Sequence, residues 1–221
     1  MVSVIGQLLP VMVAIALSTV PIMITVTILL APKPAPSALS FLIGWLLGMF
    51  LVTGLLTLGF QSLPARSLRN QPAIGLIEII IGSVIIGYGV FLLIRKRTLP
   101  PQTELPHWLR AVGTMKPGSS LGLALVLNVR PKAVLLSTAA ALILGSSRLS
   151  IAEGITVLVI LVAVGGSTVW VPIVLALADQ EKLRGTLEAT ERWIVKYGST
   201  ATILVSFIIG IFVLGDGLMR L

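Results

Sequence analysis

Cysteine is absent from this sequence, and charged and aromatic residues are scarce. Without cysteine there are no disulfides, no thiol redox chemistry and no thiolate metal sites. His107 is the single histidine, and it lies in a loop between Pro106 and Trp108, so we expect no metal site there. Charged residues make up only 11% of the chain, and no long polar stretch could fold separately outside a membrane. A large soluble domain is therefore excluded.

Apolar residues dominate what is present. They make up 56% of the 221 residues, and the mean hydropathy is +1.07. This composition predicts an all-α integral membrane protein that forms one membrane domain over residues 1–221. The net charge of +8 would suggest a nucleic-acid partner in a soluble protein. Here the basic residues cluster in short loops, so we interpret them as topology signals and expect no nucleic acid.

Six apolar segments are long enough to cross a membrane. The first ten residues carry no positive charge ahead of the apolar run, so we interpret the first segment as a membrane helix rather than a cleaved signal peptide. Residues 179–196 are amphipathic and mixed in charge, and we expect them to form a short helix along the membrane surface. The predicted membrane helices are 4–30, 38–60, 73–94, 118–144, 151–178 and 197–215.

Basic residues are unevenly shared between the two faces that these six helices define. One set of alternating loops carries ten basic residues, including five in the long segment 95–117, and the other set and the C-terminus carry four. Basic loops remain cytoplasmic. We therefore predict a multi-pass protein of the cell (inner) membrane with loop 95–117 in the cytoplasm and both termini on the outer side.

The fourth segment carries the strongest functional signal. Asn128, Arg130, Pro131 and Lys132 interrupt an otherwise apolar run. Charge at the bilayer centre costs roughly 2.5–3.5 kcal/mol on insertion scales, so these cations need partners or water. A continuous helix over 118–144 would rise about 40 Å, beyond a hydrocarbon core of about 30 Å. Because proline also removes a backbone donor, we predict a break at Pro131, which is typical of a transport site.

A shift of 110 residues relates the two halves of the chain. Leu17, Ser18 and Pro21 then fall on Leu127, Asn128 and Pro131, and no gap is needed. Each half has three helices, so the halves enter the membrane in opposite directions, which predicts a 3+3 inverted repeat of residues 4–94 and 118–221. Helices 1 and 4 are predicted to be broken at Pro21 and Pro131. The candidate substrate-binding residues are Ser18, Thr19, Pro21, Asn128, Arg130, Pro131 and Lys132.

The sequence resembles the lysine-exporter superfamily of small six-helix bacterial transporters. The resemblance rests on LSTVPIMITVTILLAPKP, FLIGWLLGMF and LNVRPKAVLLSTAAALIL, which cover helices 1, 2 and 4. Within it, the chain is most similar to the peptidoglycolipid-addressing (GAP) family, also called sulfolipid-addressing proteins. The resemblance implies a role in moving glycolipids or related envelope lipids toward the cell surface. The family's Asn-Pro-Lys element is stretched here, and Val20 stands where amino-acid exporters have glycine before proline, which counts against an amino-acid substrate.

The intramembrane cations have two interpretations. Arg130 and Lys132 either bind substrate or form structural ion pairs with Glu78, Glu153 or Asp216. Glu78 is the best candidate for a proton-coupled acid, although a salt bridge to one of the cations or exposure at the helix end is an alternative. Glu153 follows a turn and is expected to stabilise a helix N-terminus. The four tryptophans are interpreted as interfacial anchors or packing residues: Trp45, Trp108, Trp170 and Trp193.

These patterns predict a transporter that exports or translocates an amphipathic, anionic lipid or glycolipid. We expect no enzymatic activity, no cofactor and no metal, and no nucleotide-binding motif is found. One alternative is export of a small polar solute, an amino acid or an ion, although two intramembrane cations argue against a cationic substrate. Another is an accessory subunit of a larger lipid-export complex. The spacing of Gly44 and Gly48 permits a homodimer but does not require one.

Overall fold

The computed structural model describes residues 1–32, 34–61, 72–98, 107–147 and 149–219. These residues form helices and short connections, with no strand among them. The helices are α1 (Val2–Ala16), α2 (Thr19–Leu29), α3 (Ala35–Gln61), α4 (Pro72–Thr98), α5 (His107–Val112), α6 (Pro117–Leu127), α7 (Pro131–Ser146), α8 (Ile151–Gly165), α9 (Ser167–Ala178) and α10 (Gln180–Leu218).

The helices account for up to six membrane spans. Three are unbroken and lie within α3, α4 and α10. Three further spans are helix pairs bent at short interruptions, by 50° between α1 and α2, 61° between α6 and α7, and 65° between α8 and α9. The prediction of a multi-pass, all-helical membrane protein is confirmed at this level.

The outer surface of the bundle is apolar, as lipid requires. Large side chains such as Leu55, Ile80 and Ile211 are exposed, whereas a soluble protein would bury most of them. The interior holds a second apolar set that includes Phe41 and Met12, both fully buried. Because backbone groups in lipid must be satisfied within the protein, helices are the expected way to present this surface.

The first and fourth spans are interrupted close to the predicted positions. α7 begins with Pro131, and Pro21 is the third residue of α2. Both prolines thus lie in the first turn of a helix, where the missing N–H has no intrahelical partner to lose. The first interruption itself is at Leu17 and Ser18 rather than at Pro21.

The prediction of one continuous fifth helix over 151–178 was wrong, because the span bends at Gly166 between α8 and α9. A Cβ at position 166 would lie 2.7 Å from Leu46 Cδ2 of α3 and 2.7 Å from the Val162 carbonyl oxygen, so a larger residue would force the break to shift. The Thr168 hydroxyl donates a hydrogen bond of 2.7 Å to the Ala16 carbonyl at the end of α1. The breaks of the first and fifth spans therefore lie side by side.

The prediction of a separate surface helix over 179–196 was also wrong, because α10 continues unbroken to Leu218. No proline interrupts this stretch, and Asp179 caps its start by accepting a hydrogen bond from the Lys182 backbone. The Lys182 side chain also contacts Asp179 at 2.9 Å and lowers the pKa of that exposed carboxyl. The sixth span and the charged segment are thus one rod of about 58 Å, calculated from the rise per residue.

Glycines allow α4 and α10 to pack backbone against backbone. A Cβ at Gly82 would lie 2.7 Å from the Leu214 nitrogen, and one at Gly210 would lie 3.0 Å from the Gly82 carbonyl oxygen. A Cβ at Gly217 would lie 2.8 Å from the Gly75 carbonyl oxygen. Gly75 and Gly82, and Gly210 and Gly217, are both seven residues apart, so each pair lies on one face of its helix.

The remaining contacts bring the two halves of the chain together. α3 packs against α6 and α7, α1 packs against α8, and α2 packs against α10. The interruptions of the first, fourth and fifth spans are consequently bordered by helices from both halves.

Several residues used for the topology prediction lie outside the described residues: Lys33, Arg66, Arg69, Arg148 and Arg220, with most of loop 61–72. The side chains of His107 and Asp216 also lie outside them. Part of segment 95–117 differs from the predicted loop, because α4 extends to Thr98 and His107 begins the short helix α5.

Candidate functional site

A small cleft lies where the first and fourth spans are interrupted. The space open to the centres of water molecules is about 20 Å³, enough for a water but not for a lipid head group. Six of its ten lining residues are polar, and none of the ten is acidic. The polar residues are Ser18, Trp45, Asn128, Arg130, Lys132 and Ser137, and the apolar residues are Ile15, Met49, Ala133 and Leu136.

Asn128 fixes α6 against α3. Its side chain is 3% exposed, and Nδ2 donates to the carbonyls of Ala124 at 2.9 Å and Trp45 at 3.3 Å. A Cβ at Gly48 would lie 2.6 Å from this Nδ2 atom, and one at Gly44 would lie 2.6 Å from the Leu121 carbonyl oxygen. The two glycines therefore serve a contact within the chain.

Arg130 immediately precedes α7 and donates to a backbone carbonyl at the end of α6. Its Nε donates a hydrogen bond of 3.1 Å to the Leu127 carbonyl, one of the groups that a helix C-terminus leaves without a partner. A cation at this end also interacts favourably with the helix dipole. The rest of the guanidinium group remains available at the cleft.

Lys132 is the second residue of α7 and is partly buried. Among the described residues, no carboxylate lies within ion-pair distance of Lys132, and no group hydrogen-bonds to it. The ion pairs Lys182–Asp179 and Arg184–Glu188 lie away from the cleft, on the exposed first turns of α10 and its N-cap. The cleft thus holds two cations without a neutralising acid.

Two of the acidic residues proposed as partners, Glu78 and Glu153, do not line the cleft. Glu153 forms a capping box with Ser150 at the start of α8, so its predicted role at a helix N-terminus is confirmed. Glu78 is 4% exposed and lies where α4 packs against α10. A Cβ added at Gly217 of α10 would lie 2.9 Å from the Glu78 Cβ. Glu78 does not line the cleft, and its role in proton coupling stays a prediction.

The other predicted residues are divided between the cleft and its surroundings. Ser18 lines the cleft, but the hydroxyl oxygen of Thr19 lies 3.1 Å from that of Thr202 on α10. Pro21 is buried in α2, and its carbonyl accepts a hydrogen bond from Thr25. Pro131 is exposed on the outer side of the break and is not part of the cleft lining.

Trp45 and Ser137 are cleft residues that the sequence analysis missed. Trp45 was interpreted as an anchor or a packing residue, yet it is 3% exposed and borders the cleft. Its ring is stacked with Phe41 at a centroid distance of 6.4 Å, and its Nε1 has no acceptor among the described residues. The one sequence signal was its position beside Gly44, at the start of the glycine pair.

Chemically, the cleft is rich in hydrogen-bond donors and positively charged. An ammonium group, a guanidinium group and an indole N–H can only donate, and the two serines can donate or accept. Such a set favours an anion with several oxygen acceptors and disfavours a cation. The described residues contain no group of three His, Asp or Glu side chains arranged to hold a metal ion.

Comparison with known proteins gives one match. Neither the curated proteins nor the solved structures include one that is similar to this chain. A family model described as Sap, sulfolipid-1-addressing protein, matches residues 8–219, nearly the whole sequence and all six apolar segments. The chain therefore belongs to the sulfolipid-1-addressing protein family.

Proposed function

We propose that this protein is a transporter that moves an anionic amphipathic lipid, of the sulfolipid or glycolipid class, across the cell membrane toward the envelope. The observation that carries the proposal is the pair Arg130 and Lys132, placed at a helix break with no acid in the cleft. Cations at membrane depth are costly and are usually retained for function. The family's name refers to a sulfolipid, which is an anionic lipid.

The surface around the break supports access from the lipid. Val126 and Val129 are each 65% exposed, and Pro131 is also exposed, so the break reaches the apolar exterior. α6 and α7 contribute 11 and 16 residues, which places the break near the middle of the span. A head group approaching Lys132 from this side would leave its acyl chains against apolar side chains.

An inverted repeat with a moving half-helix is part of the proposal. In such a repeat, the contact of α3 with α6 and α7 in one half corresponds to the contact of α8 with α1 in the other. The third helices of the two halves, α4 and α10, pack against each other, as the symmetry requires. Pro21 and Pro131 would both favour the breaks from the first turn of the helix that follows. Because the cleft is too small for a head group, the bent segments α2 and α7 must move for substrate to bind.

Energy would come from an ion gradient or from a partner protein, because the sequence has no nucleotide-binding motif. No covalent catalysis is proposed. The wider relationship to lysine exporters is part of the same proposal and supports a transport role for the six-span architecture. The alternative with structural support is an accessory subunit, since the first half of α10 is charged and largely exposed and offers a docking surface.

Transport by purified protein tests the proposal. The protein is reconstituted into liposomes that contain a fluorescent sulfated glycolipid, and transfer between leaflets is followed by quenching from outside. Lys132→Ala and Arg130→Ala should each slow transfer at least tenfold, because removing a charged hydrogen-bond donor costs about 1.5–3 kcal/mol. Lys116→Ala, an exposed lysine outside the cleft, should retain the wild-type rate.

Unchanged transport in both cleft variants, at equal protein levels, would remove the proposed site. Wild-type protein that transfers no lipid but co-purifies with a larger transporter would favour the accessory subunit. Flux of radiolabelled amino acids through the same liposomes would favour export of a small polar solute.

A further inference from the structure

The indole N–H of Trp45 is a buried donor without a partner. The side chain is 3% exposed, and Nε1 has no acceptor among the described residues. A buried donor that stays unsatisfied destabilises the folded protein, and such groups are rare in native structures. Native tryptophans that are buried usually find an acceptor, and even the exposed Trp170 donates to the Ala163 carbonyl at 2.8 Å. Trp45 is therefore an exception that calls for a ligand.

The rest of Trp45 is held firmly. The ring is stacked with Phe41 at an interplanar angle of 8°, and the backbone carbonyl accepts a hydrogen bond from Asn128. α3 is an unbroken helix of 27 residues, unlike the bent spans that surround it. The Trp45 ring is consequently held in place on an unbroken helix at the edge of the cleft.

Trp45 shares the cleft with two cationic hydrogen-bond donors. Trp45 lines the same small space as Arg130 and Lys132, and no carboxylate contributes to it. All three groups can donate hydrogen bonds and none can accept one. One water can accept from two donors at most, but an anion with several oxygens can accept from all three and balances the positive charge.

We propose that Trp45 is a ligand-binding residue whose indole N–H donates to one oxygen of a tetrahedral oxyanion held by Lys132 and Arg130. The inference rests on the proposed function, because it takes the lipid head group as the bound anion. Because none of these three groups can accept a hydrogen bond, they favour an anion whose oxygens carry no proton, such as a sulfate ester or a phosphodiester. Trp45 then discriminates a charged head group from the same lipid without it.

Binding measurements on detergent-solubilised protein test this role. The probes are a sulfated galactosylceramide, the unsulfated parent lipid and inorganic sulfate. Trp45→Phe keeps an aromatic ring beside Phe41 and removes the N–H donor together with part of the indole volume, so we expect a loss of about tenfold or more in the affinity for the sulfated lipid. Affinity for the parent lipid should not change. Trp170→Phe removes an indole that already has an acceptor outside the cleft and should leave both affinities unchanged.

A fluorescence measurement covers the case in which Trp45→Phe folds poorly. With the other three tryptophans replaced by phenylalanine, Trp45 is the sole emitter, and the sulfated lipid should shift its emission while the parent lipid should not. Competition by inorganic sulfate would show that a free anion occupies the site. Lack of competition, together with the shift, would show that the anion is recognised only as part of the lipid.

The outcomes separate this inference from the proposed function. If Trp45→Phe retains the full preference for the sulfated lipid and Lys132→Ala loses it, the transport site stands and the role of Trp45 is wrong. If neither variant changes the preference, the anion site itself is wrong. An emission that is the same with and without the sulfated lipid would also overturn the inference.

Discussion

At the residue scale, the cleft depends on a glycine. Gly48 allows the Asn128 amide to lie against α3, because a Cβ there would be 2.6 Å from Nδ2. Gly48→Ala should push the amide away from the Trp45 and Ala124 carbonyls and destabilise the protein by about 1–3 kcal/mol, as overpacking usually does. The thermal unfolding midpoint in detergent measures this effect.

The matched control is Gly59→Ala in the same helix. Among the described residues outside its own stretch of helix, no heavy atom lies within 4 Å of a Cβ at position 59, and alanine is the better helix former by up to about 1 kcal/mol. We expect this variant to be neutral or slightly stabilised. Equal losses of stability in both variants would show that the close contact with Asn128 is unimportant.

Sequence reasoning identified the polar cleft residues that are out of place in lipid. Ser18, Asn128, Arg130 and Lys132 are conspicuous in apolar runs, and all four line the cleft. Tryptophan is common in membrane helices, so Trp45 did not stand out in the sequence. Its importance comes from burial and from a missing acceptor, which depend on how α3 packs against a helix more than 80 residues away.

At the element scale, Pro131 is expected to cause the bend of the fourth span. The chain has no cysteine, so Ser119→Cys and Ser146→Cys allow spin labels to be placed at the ends of α6 and α7. Pro131→Ala restores a backbone donor and should let the helices straighten. The label-to-label distance should grow by roughly 5 Å, calculated from the helix rise and the 61° bend. Pulsed electron spin resonance measures this distance.

Pro172→Ala is the control for this experiment, because Pro172 lies inside α9, away from both labels. It should leave the distance unchanged. A constant distance in Pro131→Ala would mean that packing against α3 imposes the bend, with proline only tolerated at the first position of α7.

Helix boundaries were predictable where a residue forbids continuation and less so elsewhere. Pro131 marks the start of α7. The bend at Gly166 has a weaker signal, because glycine permits a bend without requiring one, and the contact with Leu46 decides it. At residues 196–197 the sequence predicted a helix boundary that the structure does not have. A change in hydropathy suggested a boundary, but nothing in the backbone ends the helix there, and α10 runs through.

At the scale of the whole molecule, the orientation in the membrane is a prediction from charge alone. Ten basic residues lie on one set of loops and segments and four on the other, and the ten are expected in the cytoplasm. Single cysteines test this, because the native chain has none. Ser3→Cys and Ala152→Cys should react with a membrane-impermeant maleimide in right-side-out vesicles, whereas Thr114→Cys should react only after permeabilisation.

All three positions are exposed in the structure. Differences in their reaction with the maleimide therefore report which side of the membrane each position faces. The pattern also tests the inverted repeat, since three spans separate Ser3 from Thr114 and one separates Thr114 from Ala152. Reaction of Thr114→Cys alone without permeabilisation would reverse the orientation and leave the six-span fold intact. Reaction of Ser3→Cys and Thr114→Cys from the same side would mean that one bent pair is a re-entrant loop. The two halves would then no longer be inverted, and the paired breaks would lose their symmetry.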